Sequence, residues 1–354
     1  MNNELLKTLK TLSESDGISG NEKKVAKTVA ALSQGFVDKI EYDNLGSVIT
    51  IKGNKGPKIL VGAHLDEIGL MVTKITKDGF IKFQTIGGWF SQVMLAQRWH
   101  IHTKDGKKVL AVTGCKPPHL IPLDQRSKAI EIETMYLDIG STSYDEVLSL
   151  GIEPGCMVVP VSSFETLVNK DYVLGKALDN RVGSLIVLEV MKKISTTDKQ
   201  VYGVHTVQEE VGLRGAKTTG YKVNPDIAIA IDTGVGNDVP GGDAENQSLG
   251  KGPQIVLYDA GLIAHPKLRS FVKSVAKEVG IAYQEVYLTR GQTDAAAFSL
   301  AHEGAPSIAI CVPTRYMHCH TGIINLVDIN NTINLVVEVI NRLNQSVIND
   351  ITFD

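Results

Sequence analysis

Long apolar runs are missing from this chain. Nowhere do about 18 apolar residues stand together, so no membrane span is expected. The amino end, MNNELLKTLKTLSESDG, carries charges throughout and has no apolar stretch of signal-peptide length, so no export is expected. Cysteine is scarce: Cys115, Cys156, Cys311 and Cys319 are spaced 41, 155 and 8 residues apart, which gives no CxxC pair and no zinc-finger pattern. Reduced thiols and a cytoplasmic location are the simplest expectation. A basic excess is missing too. The formal net charge is -3 and there is no polybasic run, which argues against nucleic acid and against an anionic membrane as partners. Tryptophan occurs only at Trp89 and Trp99.

What is present is ordinary for a globular protein. Apolar residues make up 43% and charged residues 21%, enough to bury a core of normal size. At 354 residues the chain is longer than one domain usually is, and two compact units are expected.

Periodicity then divides the chain. Asn3 to Leu12 has apolar residues at helical spacing, and a second helix is expected after Ser19, with Ser19 and Glu22 as a capping box. Two apolar segments follow, Val48 to Lys52 and Lys58 to Ala63, the second reading as a strand buried on both faces. From about Ile68 to Pro160 short alternating stretches such as FIKFQTI and RWHIHTK are broken by Gly and Pro. Asp78-Gly79 and Asp105-Gly106 fit hairpin turns, and Tyr144 to Leu150 is the one helical stretch. After Asp171, strands and helices alternate again. Helices are expected at Ala177 to Ile194, Pro266 to Val279, Asp294 to His302 and Asp328 to Leu343. Strands are expected at Val201 to Val207, Ile227 to Asp232, Ala282 to Tyr287 and Ser307 to Val312. Alternation on both sides of a β block predicts a mixed α/β catalytic domain, residues 1–67 and 162–354, interrupted by a small β domain at 68–161.

Five segments within the α/β part carry acids or histidines at strand ends or helix starts, where open α/β sheets hold ligands. In ILVGAHLDEIG, His64 closes a strand and Asp66 lies two residues on, on the same side of an extended chain, placed to fix the imidazole tautomer. In GKALDNRVG, Asp179 stands at a helix start. In VHTVQEEVGLRGA, Glu209 and Glu210 end a strand. If that segment is extended, one carboxylate faces a cation and the other a substrate pocket. In IAIAIDTG, Asp232 closes an apolar strand. In PTRYMHCHTG, His318 and His320 follow a strand. Taken singly, each has a plainer explanation as a surface turn, a helix cap or a solvated charge. One shared site accounts for all five. Mixed carboxylate and imidazole donors suit zinc, cobalt or manganese, and there are enough for two ions. Two such ions with a free carboxylate as general base suit amide hydrolysis.

GAHLDEIGLMV, KALDNRVG, VQEEVGLRGA, AIDTG, RGQTDAAAF and PTRYMHCH together resemble the tetrahedral metallo-aminopeptidase family. Glutamyl and deblocking aminopeptidases belong to it, and some members are labelled endoglucanase. The resemblance implies a zinc-exopeptidase-like fold with an inserted β-barrel-like domain for dimer contacts, and dimers assembled into a hollow dodecamer. It implies that His64, Asp179 and Asp232 hold one metal and that Asp179, Glu210 and His318 hold the other. Glu209 would be the general acid/base and Asp66 would act through His64. The Asp179-Asn180 peptide would be cis. Gly291, Thr293 and Asp294 would lie at the substrate pocket, and the substrate would be a peptide with a free amino terminus. One departure stands out: relatives have His-Ser after the Arg-Tyr pair, often with a Glu close behind. Here the run is His318-Cys319-His320-Thr321, with no acid before Asp328. His318 is the ligand by this resemblance, and His320 is its competitor.

Two other classes compete: a glycoside hydrolase, which needs paired carboxylates and usually aromatic platforms, and a non-catalytic metal- or peptide-binding assembly. For substrate preference, the segment GPQIVLYDAG offers no basic residue, which tilts the expectation toward neutral or apolar amino-terminal residues.

Overall fold

The computed structural model of this chain describes residues 3–352. Residues 1–2 and 353–354, which the expected bounds of the catalytic unit include, lie outside the described residues. The chain opens with helices α1 (Asn3–Ser13) and α2 (Lys23–Ser33) and strands β1 (Lys39–Tyr42), β2 (Val48–Lys52) and β3 (Lys58–His64). Next come β4 (Gly69–Ile75), β5 (Ile81–Ile86), β6 (Arg98–His102), β7 (Lys108–Gly114), β8 (Tyr136–Asp138), α3 (Tyr144–Ser149) and β9 (Met157–Pro160). They are followed by β10 (Glu165–Thr166), β11 (Tyr172–Gly175), α4 (Leu178–Lys193), β12 (Gln200–Thr206), α5 (Arg214–Val223) and β13 (Ile227–Val235). The chain ends with β14 (Gln254–Tyr258), α6 (Pro266–Glu278), β15 (Gln284–Tyr287), α7 (Asp294–Phe298), β16 (Ser307–Arg315), β17 (Gly322–Asn325), α8 (Leu326–Arg342) and α9 (Gln345–Ile351).

The large sheet is mixed, in the order β1-β2-β12-β3-β13-β16-β17-β11-β10, with β14 joining β16 and β15. Its centre, β12-β3-β13-β16, is parallel and therefore needs helices on both faces. The strand sequences meet that need. In β13 the isoleucines Ile227, Ile229 and Ile231 point into the core beneath α4, α6 and α8, while Ala228 and Ala230 point to the other face, where α5 and α7 pack. Small residues on that second face let Phe298 of α7 pack closely on the sheet. A Cβ on Gly62 of β3 would stand 2.8 Å from its ring.

Register decides the site. Thr206 of β12 pairs with His64 of β3, and Ala230 of β13 pairs with Gly62 of β3. The latter puts Asp232 level with His64, and the four parallel strands deliver their carboxyl ends to one edge.

The segment between β3 and β10 closes into a six-stranded barrel, β4-β5-β8-β7-β6-β9. Its core includes Leu70, Val72, Ile81, Trp99, Ile101, Leu137 and Val158. Asp78-Gly79 and Asp105-Gly106 make its tight turns, with both glycines at positive φ (84° and 78°). Barrel and sheet are joined by a buried ionic cluster. Asp16 accepts from His102 Nε2 at 2.9 Å, pairs with Lys176 at 3.0 Å and is also met by Lys108. Lys176 continues to Glu67 at 2.7 Å. Burial pushes the Asp16 carboxyl up, but His102, Lys176 and Lys108 outweigh it and hold the group well below the usual carboxylate range.

Some local expectations are corrected. The Ser19–Glu22 capping box does not form. The helix starts at Lys23, so Glu22 stands at its N-cap and not three residues inside it; Glu22 accepts from Gly20 N and Gln208 N, and Ser19 Oγ donates to Asp66 Oδ2 at 2.6 Å. Helix α7 stops at Phe298 rather than His302. Strand β13 runs on past Asp232 to Val235.

Candidate active site

Each candidate residue is set by a backbone feature of its own. His64 ends β3. Asp179 sits at the head of α4, where Ala177 is left-handed (φ 51°) and the Asp179–Asn180 peptide is cis. Asn180 ties that turn to β13, donating Nδ2–H to Ile231 O at 2.8 Å. Glu209 and Glu210 follow β12 in a turn flanked by Gln208 (φ 58°) and Gly212 (φ 116°). The turn bends the segment out of the extended form expected for it, and both carboxylates line the same cavity instead of pointing apart. Asp232 lies within β13. His318 follows β16 at φ 54°.

The side chains converge. His64 Nε2 lies 3.1 Å from Asp179 Oδ1, 3.7 Å from Asp232 Oδ1 and 4.0 Å from Glu209 Oε2. His318 Nε2 lies 3.7 Å from Asp179 Oδ2 and 3.8 Å from Glu210 Oε2. The two oxygens of Asp179 thus face two different imidazoles. Two overlapping trios result, His64/Asp179/Asp232 and Asp179/Glu210/His318, each with its donor atoms within 4.8 Å of one another. A third trio, His64/Glu209/Glu210, meets the same limit.

Behind these donors, both imidazoles are fixed at Nδ1. That of His64 lies 3.0 Å from the main-chain oxygen of Asp66, with the Asp66 carboxylate farther off at 3.5 Å. That of His318 lies 2.7 Å from Gly88 O, a residue of the barrel. Donation from Nδ1 leaves each Nε2 lone pair aimed into the cluster, the tautomer a metal ligand needs. Asp66 therefore orients His64 through its backbone. Its carboxylate, wholly buried, accepts instead from Ser19 and from the backbone N–H groups of Glu209 (3.0 Å) and Glu210 (3.1 Å).

Four carboxylates in one cavity repel one another. Burial, and then the charges of Asp232, Glu210 and Asp294, push the Glu209 carboxyl well up against the pull of His64. Burial and Asp179 push Asp232 well up. Glu210 is raised to about 7 by burial and Asp179. His64 is raised well above its ordinary value, despite burial, by Glu209, Asp179 and Asp66. A divalent cation relieves this repulsion, and the oxygen and nitrogen donors fit zinc, cobalt or manganese.

The cluster opens into a cavity of about 290 Å³. Gly291 and Thr293 line it, together with Leu288 and Arg290. Asp294 is buried behind that wall, accepting from the Thr206 hydroxyl, with its second oxygen unpartnered. Burial raises its carboxyl to about 6. Asp259 holds the wall in place by accepting from Thr293 N and Oγ1. None of GPQIVLYDAG lines the cavity; its basic group is Arg290, the residue that opens RGQTDAAAF. His320 is not part of the cluster. It is packed against Trp89 and Trp99, and burial lowers its pKa to about 4.

Comparison with known proteins agrees in one direction. The family model for M42 glutamyl aminopeptidase matches residues 46–335. A protein named putative aminopeptidase FrvX from Escherichia coli is 38% identical over 94% of this chain and 93% of its own length. A glutamyl aminopeptidase from Lactococcus lactis is 35% identical, covering 92% of each. Among solved structures, a TET aminopeptidase from a marine sediment Thaumarchaeota archaeon superposes with a TM-score of 0.96 at 39% identity, over 99% of both chains. The Pyrococcus horikoshii TET1 peptidase, described as assembling into a tetrahedron or a large octahedral shell, gives 0.85 at 31% identity over 96% of this chain and all of its own. With this cluster, this fold and these matches along almost its whole length, the chain belongs to the M42 glutamyl aminopeptidase family and is a peptide-bond hydrolase.

Proposed function

We propose that the chain is a two-metal aminopeptidase that removes amino-terminal residues from short peptides. The carrying observation is that Asp179 presents one oxygen to His64 and the other to His318. A bridging carboxylate between two cation seats has this arrangement, with His64 and Asp232 completing one seat and Glu210 and His318 the other. Two divalent ions (zinc, cobalt or manganese) held there supply an activated water and polarise the scissile carbonyl. Glu209 belongs to neither seat. Standing beside both, with its Oε2 4.0 Å from His64 Nε2, its carboxylate would take a proton from the water and return it to the leaving amine. Asp66 sets the backbone of Glu209 and Glu210, while Gly291, Thr293 and Asp294 form or support the substrate wall.

Several further points belong to the same reading. The inserted unit, residues 68–161, serves dimer contacts: Phe90, Leu110 and Leu123 expose apolar surface on it. Dimers assemble into a dodecamer, the form described for the solved PhTET1-12s, which is 30% identical over 97% of this chain. Such a shell would keep the site from folded proteins in the cytoplasm. No helix among the described residues is long and apolar enough to cross a membrane. The rival glycosidase reading lacks its aromatic platform, because Trp89 and Trp99 pack on each other at 5.1 Å and neither lines the cavity.

The test is a metal-replete assay on a panel of aminoacyl chromophores and their N-acetylated twins, with mass measured in solution. Cleavage of free-amino substrates alone, lost in chelator and cut by about 10²–10⁴ in Glu209→Gln with metal retained, is expected. Full activity in chelator, or equal cleavage of the acetylated twins, would end the proposal.

A further inference from the structure

His318 reaches the cluster from a loop whose own backbone is disfavoured. Tyr316 and His318 both take left-handed conformations, φ 62° and 54°, which residues with a Cβ avoid. Something outside the loop must hold it, and the contacts that do so come from the barrel. Gly88 O accepts a hydrogen bond from His318 Nδ1 at 2.7 Å. A Cβ on Gly88 would stand 3.1 Å from that nitrogen, and one on Gly87 would stand 3.1 Å from Glu210 Oε2, so the barrel backbone is pressed against two members of one trio.

Two residues beyond His318, the chain enters an aromatic slot. The His320 ring is 5% exposed and sits edge-on to Trp99 and Trp89, at centroid distances of 4.3 and 5.4 Å. Both indoles are themselves fixed, since Trp99 Nε1 donates to Thr113 and Trp89 Nε1 donates to Gly69 O at 3.0 Å. The backbone of Arg98 lies close to the imidazole, yet neither ring nitrogen has a hydrogen-bond partner of good geometry among the described residues. What the slot receives from His320 is the ring, edge-on to both indoles. Thr321, next along, shares a hydroxyl contact of 2.7 Å with Ser162 at the exit of the barrel. In the other trio, by contrast, His64 and Asp232 stand on adjacent strands of the large sheet.

From these contacts we infer that His320 is a positioning residue, whose ring, locked between Trp89 and Trp99, seats His318 and so makes the barrel a condition for filling the Asp179/Glu210/His318 seat but not the His64/Asp179/Asp232 seat. The inference rests on the two-cation reading. It assigns the inserted unit a part in the active site beside its role in dimer contacts.

Zinc titration of the metal-free full-length protein, followed by calorimetry and by metal content after gel filtration, tests it. The wild type is expected to take two ions per subunit, and a wild type taking one or none removes the two-cation reading and this inference with it. His320→Ala is expected to weaken one of the two ions by about 10–100-fold and leave the other unchanged. His320→Phe, which keeps a ring in the slot, restores two-ion binding. Trp89→Leu attacks the same slot from the barrel side at a half-buried position, and one ion weakens as in His320→Ala. If His320→Ala and Trp89→Leu bind both ions as the wild type does, or if His320→Phe loses as much as His320→Ala, the inference is wrong while the two-cation reading stands.

Discussion

Glu209 donates its backbone N–H to Asp66 Oδ1 at 3.0 Å, so the proposed general base is oriented by a carboxylate on a different strand end. The same carboxylate holds the backbone of Glu210 through its other oxygen. An amide at position 66 has only one oxygen for those two N–H groups and would turn an N–H donor toward one of them. Asp66→Asn is therefore expected to lower kcat by about 10–100-fold with metal at saturation, and to change KM little, because the wall at Gly291 and Thr293 is untouched. Steady-state kinetics on one aminoacyl chromophore decide it; unchanged kcat would show that the turn holds itself.

Metal removal should make stability depend on pH in a definite direction. Glu209, Asp232 and Glu210 all have carboxyls raised above their unfolded values, Glu210 to about 7. A raised carboxyl contributes stability that is full below the unfolded value, about 4, and is lost as pH rises through the folded one. His64 and His318, also raised, act in the same direction, while Asp179 and Asp66, which are lowered, titrate below this range and leave the slope between pH 5 and 8 unchanged. The Tm of chelated protein is expected to fall between pH 5 and 8, and the rise in Tm on adding zinc to be largest at the alkaline end, where protons no longer compete for the ligands. Scanning calorimetry with and without chelator measures both; a chelated protein with a flat Tm over that range contradicts the electrostatic account of the cluster.

Much of this was readable from local pattern. The run KILVGAH marks a strand with apolar neighbours on both faces, and it lies between two parallel partners. The alternation IAIAID marks a strand with a large and a small face, which is how Phe298 comes to rest on it. The two Asp-Gly turns mark the barrel. What the pattern could not carry were contacts between distant segments. Ser19 and Glu22 have capping-box spacing, but Asp66 lies 47 residues beyond Ser19 and takes its hydroxyl. His318 and His320 look alike in sequence. Only Gly88, 230 residues earlier, and the two tryptophans separate them. Glu209 and Glu210 follow β12, so local pattern extends the strand through them. The left-handed Gln208 that ends the strand has no side-chain signature.

Asp16 should act as the acid-labile clamp between barrel and sheet. Its carboxyl is held well below the ordinary value by His102, Lys176 and Lys108, against its burial. A depressed carboxyl contributes stability that is present above the unfolded value, about 3.9, and is lost as pH falls below it. Asp16→Asn leaves Lys176 with one buried partner fewer and is expected to destabilise by about 3 kcal/mol at neutral pH. The difference in stability between the two proteins should narrow as pH drops below 4. Urea unfolding at pH 7 and at pH 3.5 tests both parts; a difference that stays constant between them would mean that packing, and not charge, sets the cost.

Arg290 is the cationic group of the cavity wall. It is exposed, lines the cavity with Leu288 and with the carboxylates of Asp179, Glu209, Glu210 and Asp232, and has no ion-pair partner among the described residues. A substrate whose amino-terminal side chain carries a carboxylate gains a charge-assisted contact there that a leucyl substrate does not, and a lysyl substrate meets repulsion. In a partly solvated cavity such a contact is worth about 1–2 kcal/mol, or about 5–30-fold in kcat/KM. Arg290→Gln is therefore expected to lower kcat/KM for glutamyl substrates by that factor and leave leucyl substrates within about twofold. Arg290→Glu should carry the preference toward lysyl substrates. Because Arg290 touches none of the proposed metal donors, the loss should appear mainly in KM. Equal loss on all three substrates would place Arg290 against the peptide backbone or the loop itself and remove it from side-chain selection.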